Sequence, residues 1–96
     1  LKALRIGDLG LVTNPAELFC DFGLTIKEQS PLRFTMVSEL TNGCCGYVPT
    51  QQAFSEGGYE VRKNNLYSYL AHDAGDRIAR ASVDLLKKVS AADKRP

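Results

Sequence analysis

The chain has 96 residues and a formal net charge of +1, from 12 Lys and Arg against 11 Asp and Glu. Its apolar share of 44% and charged share of 24% are typical of globular domains, which excludes a disordered tail, a collagen and a low-complexity linker. A nearly neutral chain has no basic field to hold a nucleic acid, and no apolar stretch is long enough to cross a bilayer. We therefore expect one globular domain over residues 1–96 that binds no nucleic acid and has no transmembrane segment.

A β-hairpin is predicted over residues 3–13. Two apolar segments, residues 4–6 and 9–12, flank Gly7-Asp8, a dipeptide that favours a tight two-residue turn. The chain opens at Leu1, without a methionine, and enters this strand pattern at once. We interpret it as a fragment or a processed segment of a longer chain.

A helix is predicted from Asn14-Pro15 to the residue before Pro31. Asn is a favoured N-cap and Pro a favoured first helical residue. Glu17 then falls at the third helical position, where a carboxylate completes a capping box and meets the positive end of the helix. On this interpretation Glu17 has a structural role only. The apolar face of the helix would consist of residues at four-residue spacing: Leu18, Phe22 and Ile26, with Phe19 beside them.

Residues 33–41 are rich in strand-forming side chains and predict a further strand. Its faces would be Phe34, Met36 and Leu40 on one side and Val37 on the other. Asn42-Gly43 would end it. A short extended segment over residues 44–48 and a helical turn over 50–55, capped by Thr50, would follow, and then a loop from Gly57 to about His72.

The last predicted helix begins after Asp73, which acts as its cap. Its buried stripe would be Ile78, Ala81, Leu85 and Val89, widened by Leu86. The cations at its end suit the helix dipole, so we interpret the basic stretch from Lys87-Lys88 to Lys94-Arg95 as a solvated helix end, with residues 89–96 as a tail. The fold class is therefore α+β, with the hairpin and the 33–41 strand in a layer under two main helices.

The predicted elements leave a long segment, residues 44–69, without a clear place in a hydrophobic core. Residues 44–69 contain four tyrosines with little periodic apolar pattern: Tyr47, Tyr59, Tyr67 and Tyr69. Such segments usually line a site or pack on a partner. We therefore expect either a fragment of a larger α/β/α catalytic domain, completed by a preceding segment of the same chain, or a standalone module.

The three cysteines, Cys20, Cys44 and Cys45, are an odd number, and adjacent cysteines seldom form a disulfide with each other. With His72 as the single histidine, no zinc finger can be built. A catalytic Cys–His pair is one interpretation. Small, buried, apolar cysteines are the preferred one.

Two segments together resemble the neutral (non-lysosomal) ceramidase family, zinc-dependent amidases that hydrolyse N-acyl sphingosine. The first is Val12-Thr13-Asn14-Pro15-Ala16-Glu17-Leu18-Phe19, similar to the family's Pro-Gly-Glu-Phe turn. The second runs from Asn42 through Cys44-Cys45-Gly46-Tyr47-Val48-Pro49-Thr50 to Gly57-Gly58-Tyr59-Glu60. As an order of elements, the resemblance covers about residues 3–88 and corresponds to the C-terminal part of the family's catalytic domain.

The resemblance implies a role for three residues. Glu17 looks like the carboxylate that binds the zinc (Zn²⁺), Tyr47 like the tyrosine ligand of the same metal, and Tyr59 like the tyrosine that stabilises the oxyanion of the attacked amide. The family's remaining ligands are histidines from earlier in the chain, so the resemblance implies that this chain alone is inactive. It also implies an N-acyl lipid substrate and a secreted or periplasmic location.

The chain departs from the family pattern at four positions near these residues: Ala16 replaces Gly, Pro49 replaces Thr, Phe54 replaces Tyr, and Val61 replaces Gly. These differences bear on the lipid substrate more than on the metal. Two other hypotheses remain open: a non-catalytic module that binds a partner or self-associates through its tyrosine-rich surface, and thiol chemistry at Cys44-Cys45.

Overall fold

The computed structural model describes residues 1–61 and 70–91, without the side chain of Tyr59. The elements in chain order are β1 (Lys2–Ile6), β2 (Leu9–Thr13), β3 (Glu17–Leu18), α1 (Cys20–Gln29), β4 (Phe34–Ser38), β5 (Tyr47–Val48), α2 (Gln51–Glu56), a 3₁₀ turn (Tyr59–Val61) and α3 (Ala74–Ala91). The mixed helices and strands confirm the predicted α+β class. Within the described residues, none of the helices combines the length and apolarity that spanning a membrane requires.

The main sheet has three strands in the order β1-β2-β4. Strands β1 and β2 pair antiparallel as the predicted hairpin, and Gly7 supplies a turn residue at φ 59°, a conformation that glycine adopts without strain. Strand β4 pairs parallel with β2. It lies inside the predicted 33–41 strand but ends at Ser38, and Leu40 turns away with a φ of 48°.

Helices α1 and α3 cover one face of this sheet, as predicted. Helix α3 packs on β1 and β2, α1 packs on β4, and the two helices contact each other. The core between the layers is formed by buried apolar side chains: Val12, Ala16, Leu18, Phe22, Ile26, Val48, Ala79 and Leu86. Phe22 and Ile26 were expected on the apolar face of the first helix, and both are buried.

The predicted start of the first helix is wrong. Helix α1 begins at Cys20, with Phe19 at its N-cap, and Asn14 caps no helix. Its side-chain Oδ1 instead accepts the N–H of Ala16 at 3.0 Å, which is an Asx turn, the main alternative use of an asparagine before a proline. The residues that follow are drawn into a strand because they pair with β5.

The predicted buried stripe of the last helix is also wrong in its orientation. Helix α3 buries Gly75, Ala79, Ser82, Val83 and Leu86, of which only Leu86 was expected. The other predicted members are half-buried: Ile78, Ala81, Leu85 and Val89. Helix α3 contacts α1 as well as the sheet, so small residues occupy the side where the two helices approach each other.

The remaining expectations concern shorter segments. Helix α2 is confirmed together with its cap, since Thr50 Oγ1 accepts the N–H of Ala53 at 3.1 Å. Helix α3 begins directly after Asp73, as predicted. Residues 62–69 of the expected loop, with two of its tyrosines, and the tail over 92–96 lie outside the described residues.

Candidate functional site

Glu17 and Tyr47 meet in a second, two-stranded sheet. Strands β3 and β5 run parallel, with Glu17 opposite Tyr47 and Leu18 opposite Val48. The N–H of Glu17 donates to the carbonyl oxygen of Gly46 at 2.8 Å, and the N–H of Phe19 donates to that of Val48 at 3.2 Å. The backbone of the two segments that carry the family resemblance is thus joined directly.

Residues opposite each other in a parallel pair project their side chains to the same side, from strands about 4.8 Å apart. Glu17 and Tyr47 therefore share one face of this small sheet. Both are half-buried, while their neighbours Leu18 and Val48 are buried in the core on the other face. The register therefore places a carboxylate and a phenol on the same half-buried face. Leu18 and Val48, on the opposite face, pack in the core and hold the two strands in place.

The loop between β4 and β5 holds the backbone of residues 14–16, which precede Glu17, by hydrogen bonds. The N–H of Leu40 donates to Ala16 O at 3.2 Å, and the N–H of Thr41 donates to Asn14 O at 3.0 Å. Near the other end of the loop, the backbone N–H of Cys45 donates to the carbonyl oxygen of Pro15 at 2.9 Å. Residues 14–16 are thus held between two parts of the same loop, which explains why they do not continue into a helix.

This arrangement removes the structural explanation for Glu17. A capping-box carboxylate must lie in the first turn of a helix, whereas Glu17 lies in β3, ahead of the helix that begins at Cys20. The prediction that Glu17 caps a helix is therefore wrong. Glu17 is instead a half-buried strand residue opposite Tyr47.

Sequence reasoning missed Glu39, which lies beside the pair. Glu39 is exposed as a residue, but partial burial of its carboxyl group and the nearby charge of Glu17 raise the pKa of that carboxyl, and a hydrogen bond from the backbone of Leu18 opposes this effect in part. Glu39 follows the end of β4 and comes near β3 through the Leu40–Ala16 hydrogen bond. The residues next to Glu39 in the sequence do not predict that it lies near Glu17, because this proximity depends on hydrogen bonds between distant segments.

The other two candidate residues, Tyr59 and His72, are not paired with Glu17 or Tyr47 in the β3–β5 sheet. Tyr59 opens the 3₁₀ turn, which contacts β5, so its backbone is near Tyr47, and its role stays a prediction. His72 is exposed and stacks on Phe54, with ring centroids 4.0 Å apart. That stack joins α2 to the start of α3, and a second link is the hydrogen bond from Gln51 to Asp76 at 2.9 Å.

The expectation of buried cysteines is wrong for two of the three. Cys20 and Cys44 are exposed, and Cys45 is half-buried. Burial, together with the adjacent Cys44, raises the pKa of the Cys45 thiol. A raised pKa lowers the thiolate fraction at neutral pH, which makes Cys45 a poorer nucleophile.

Whether the chain fits a zinc ion depends on its donors. Among residues 1–61 and 70–91, no group of three or more His, Cys, Asp or Glu side chains could hold a metal ion. Glu17 and Tyr47 supply two oxygen donors on one face, and a catalytic zinc takes three protein ligands of nitrogen or oxygen type. The pair alone therefore does not make a zinc site, and a zinc ion held here would need further ligands from outside the described residues.

No family model, curated protein or solved structure matches the chain.

Proposed function

We propose that this chain is the C-terminal part of a zinc-dependent amidohydrolase similar to the neutral ceramidases, acting on an N-acyl, ceramide-like amide. In this proposal Glu17 and Tyr47 are two of the metal ligands, and Tyr59 acts on the substrate. A preceding segment supplies the remaining ligands, and the chain alone is inactive.

The observation that supports the proposal is the register of β3 and β5. Glu17 and Tyr47 belong to two separate motifs of the family resemblance, thirty residues apart in the sequence. They lie opposite each other on one sheet face. A shared ligand pair requires such an arrangement, whereas two unrelated surface residues do not.

Each residue has a chemical task that its type suits. The Glu17 carboxylate offers a charged oxygen donor, and the Tyr47 phenol a second oxygen whose ionisation metal binding favours. Zinc, when bound, lowers the pKa of a bound water to near neutrality. Tyr59, a neutral hydrogen-bond donor at pH 7, would donate to the amide oxygen as negative charge develops there.

The first test is the coding sequence directly upstream of Leu1. Several hundred preceding residues with histidines between strand and loop would supply the missing ligands. A start codon directly before Leu1 would leave the pair without partners and would contradict the proposal.

The second test uses the full-length protein and N-acyl sphingosine as substrate. We expect Glu17→Gln and Tyr47→Phe to lower both the bound zinc and the hydrolysis rate, the latter by at least about 100-fold, a loss typical of removing one group essential to the chemistry. Tyr59→Phe should lower kcat while the zinc content stays at one per chain. The matched control is Glu28→Gln, which removes an exposed carboxylate of α1.

The possible outcomes distinguish the assignment of the metal ligands from the assignment of the substrate. Full activity in Glu17→Gln and Tyr47→Phe would contradict the site. Normal zinc content with hydrolysis of a different amide would keep the site and reject the ceramide-like substrate.

A further inference from the structure

His72 and Phe54 form an aromatic contact that links α2 to the start of α3. Their rings are stacked, with centroids 4.0 Å apart and an angle of 11° between the ring planes. A second link starts at Gln51, whose Nε2 donates to Asp76 Oδ2 at 2.9 Å. Helix α2 is therefore tied at two points to the segment in which α3 begins.

The α3 side of this contact is fixed. His72 lies in the turn before α3, which is closed by a hydrogen bond from the N–H of Ala74 to the carbonyl oxygen of Ala71 at 3.0 Å. Directly after this turn, α3 enters the core with Gly75 and Ala79, both buried. The imidazole ring of His72 is thus attached to a backbone that core packing holds in place.

Helix α2, by contrast, has little packing of its own. The structure describes all six of its residues, and none of them is buried. Phe54 is half-buried. A helix of six residues is too short to be stable in isolation, so α2 keeps its position through contacts with neighbouring elements. The stack on His72 and the hydrogen bond from Gln51 are such contacts.

The segment after α2 carries Tyr59. Gly57 and Gly58 follow the helix with φ values of 91° and 118°, which glycine adopts without steric clash. The 3₁₀ turn that opens with Tyr59 comes next and contacts β5, the strand of Tyr47. Helix α2 is therefore the middle of a loop that leaves β5 and returns to it. The position of α2 limits where the backbone of Tyr59 can lie relative to Tyr47.

We propose that His72 is a positioning residue. By stacking on Phe54 it holds α2 in place, and through α2 it holds the backbone of Tyr59 next to the strand of Tyr47. The hold on α2 follows from the contacts alone, whereas the effect on hydrolysis rests on the proposed function, in which Tyr59 acts on the substrate. This gives the single histidine of the chain a task other than activating a cysteine.

The test measures amide hydrogen exchange of residues 51–61 and hydrolysis of N-acyl sphingosine, both in the full-length protein. A stacked aromatic pair changes a local opening equilibrium roughly 2- to 12-fold. We therefore expect His72→Ala to speed exchange in this segment by about that factor and to leave exchange in α1 unchanged. It should also lower kcat at least about threefold at unchanged zinc content, because small displacements of a catalytic group have large effects on rate.

Three further variants isolate the stack. His72→Phe keeps a flat ring against Phe54 and should restore both exchange and kcat. Phe54→Ala should reproduce His72→Ala, and the double variant should be no worse than either single one, because all three lack the same contact. The matched control is Gln52→Ala, which removes the hydrogen bond from Gln52 to Glu56 within α2 at 2.9 Å and should leave kcat unchanged.

The two readouts judge the two parts of the proposal separately. Unchanged exchange of residues 51–61 in His72→Ala, or additive effects in the double variant, would overturn the hold on α2. Faster exchange with unchanged kcat, in an enzyme that Tyr59→Phe impairs, would overturn the positioning role. A wild type without hydrolytic activity, whose exchange still responds to His72→Ala as expected, would contradict the proposed function and support the hold of His72 on α2.

Discussion

Glu17 and Tyr47 lie opposite each other in the parallel pair of β3 and β5, with the N–H of Glu17 bonded to the carbonyl of Gly46, the residue before Tyr47. The pair rests on Leu18 and Val48, both buried. Strands of two residues have little stability of their own, so this geometry depends on the core beneath and on the loop that holds residues 14–16. Substitutions there would act on both side chains at once.

Glu39 is expected to make stability depend on pH. The pKa of its carboxyl is raised above 4.5 in the folded chain by burial and by Glu17. The ionised form therefore opposes folding at pH values above the folded-state pKa, and this penalty is lost as the pH falls through that pKa toward the unfolded value. Glu39→Gln should raise the melting temperature relative to the wild type near pH 7, and the difference should vanish below about pH 4.

Thermal unfolding followed by circular dichroism across this range measures the difference. Glu28→Gln, at an exposed position of α1, is the matched control for loss of one negative charge. The same pH dependence in both variants would show that proximity to Glu17 is not the cause.

Gly75 is expected to be required for the contact between α3 and α1. A Cβ added at Gly75 would overlap the ring of Phe22, and both residues are buried. Gly75→Ala should therefore lower the free energy of unfolding by about 1–3 kcal/mol, as overpacking does, despite the better helix propensity of alanine. Urea denaturation measures the change.

Gly23 within α1 is the matched control, because an added Cβ meets no atom within 4 Å there. Gly23→Ala should raise the free energy of unfolding by about 0.5–1 kcal/mol through helix propensity. Stabilisation by Gly75→Ala as well would mean that the helices do not approach as closely as described.

The cysteines are expected to react in a set order. Cys20 and Cys44 are exposed, whereas Cys45 is half-buried with a raised thiol pKa. Iodoacetamide near pH 7 should therefore modify Cys20 and Cys44 first, because the thiolate is the reactive form. Mass spectrometry of variants that keep one cysteine each measures the three rates. A Cys45 that reacts fastest would instead support thiol chemistry at this position.

Local signals in the sequence were sufficient for several elements. Gly7-Asp8 between two apolar segments predicted the hairpin, and Thr50 predicted the cap of α2, because turn and cap chemistry involve only neighbouring residues. The spacing of Phe22 and Ile26 identified the buried face of α1, since a helix repeats every 3.6 residues wherever it packs.

Three features were decided by the tertiary structure alone. Asn14 and Glu17 carry the local pattern of a helix start, yet β5 draws Glu17 into a strand because backbone hydrogen bonds to a distant segment outweigh a weak local propensity. The buried side of α3 turned toward Gly75 and Ala79, because contact with α1 selects small residues. The resemblance in sequence proposed Glu17 and Tyr47 as ligands of one metal, which stays a prediction, whereas long-range strand pairing decides that the two residues lie opposite each other, with Glu39 near Glu17.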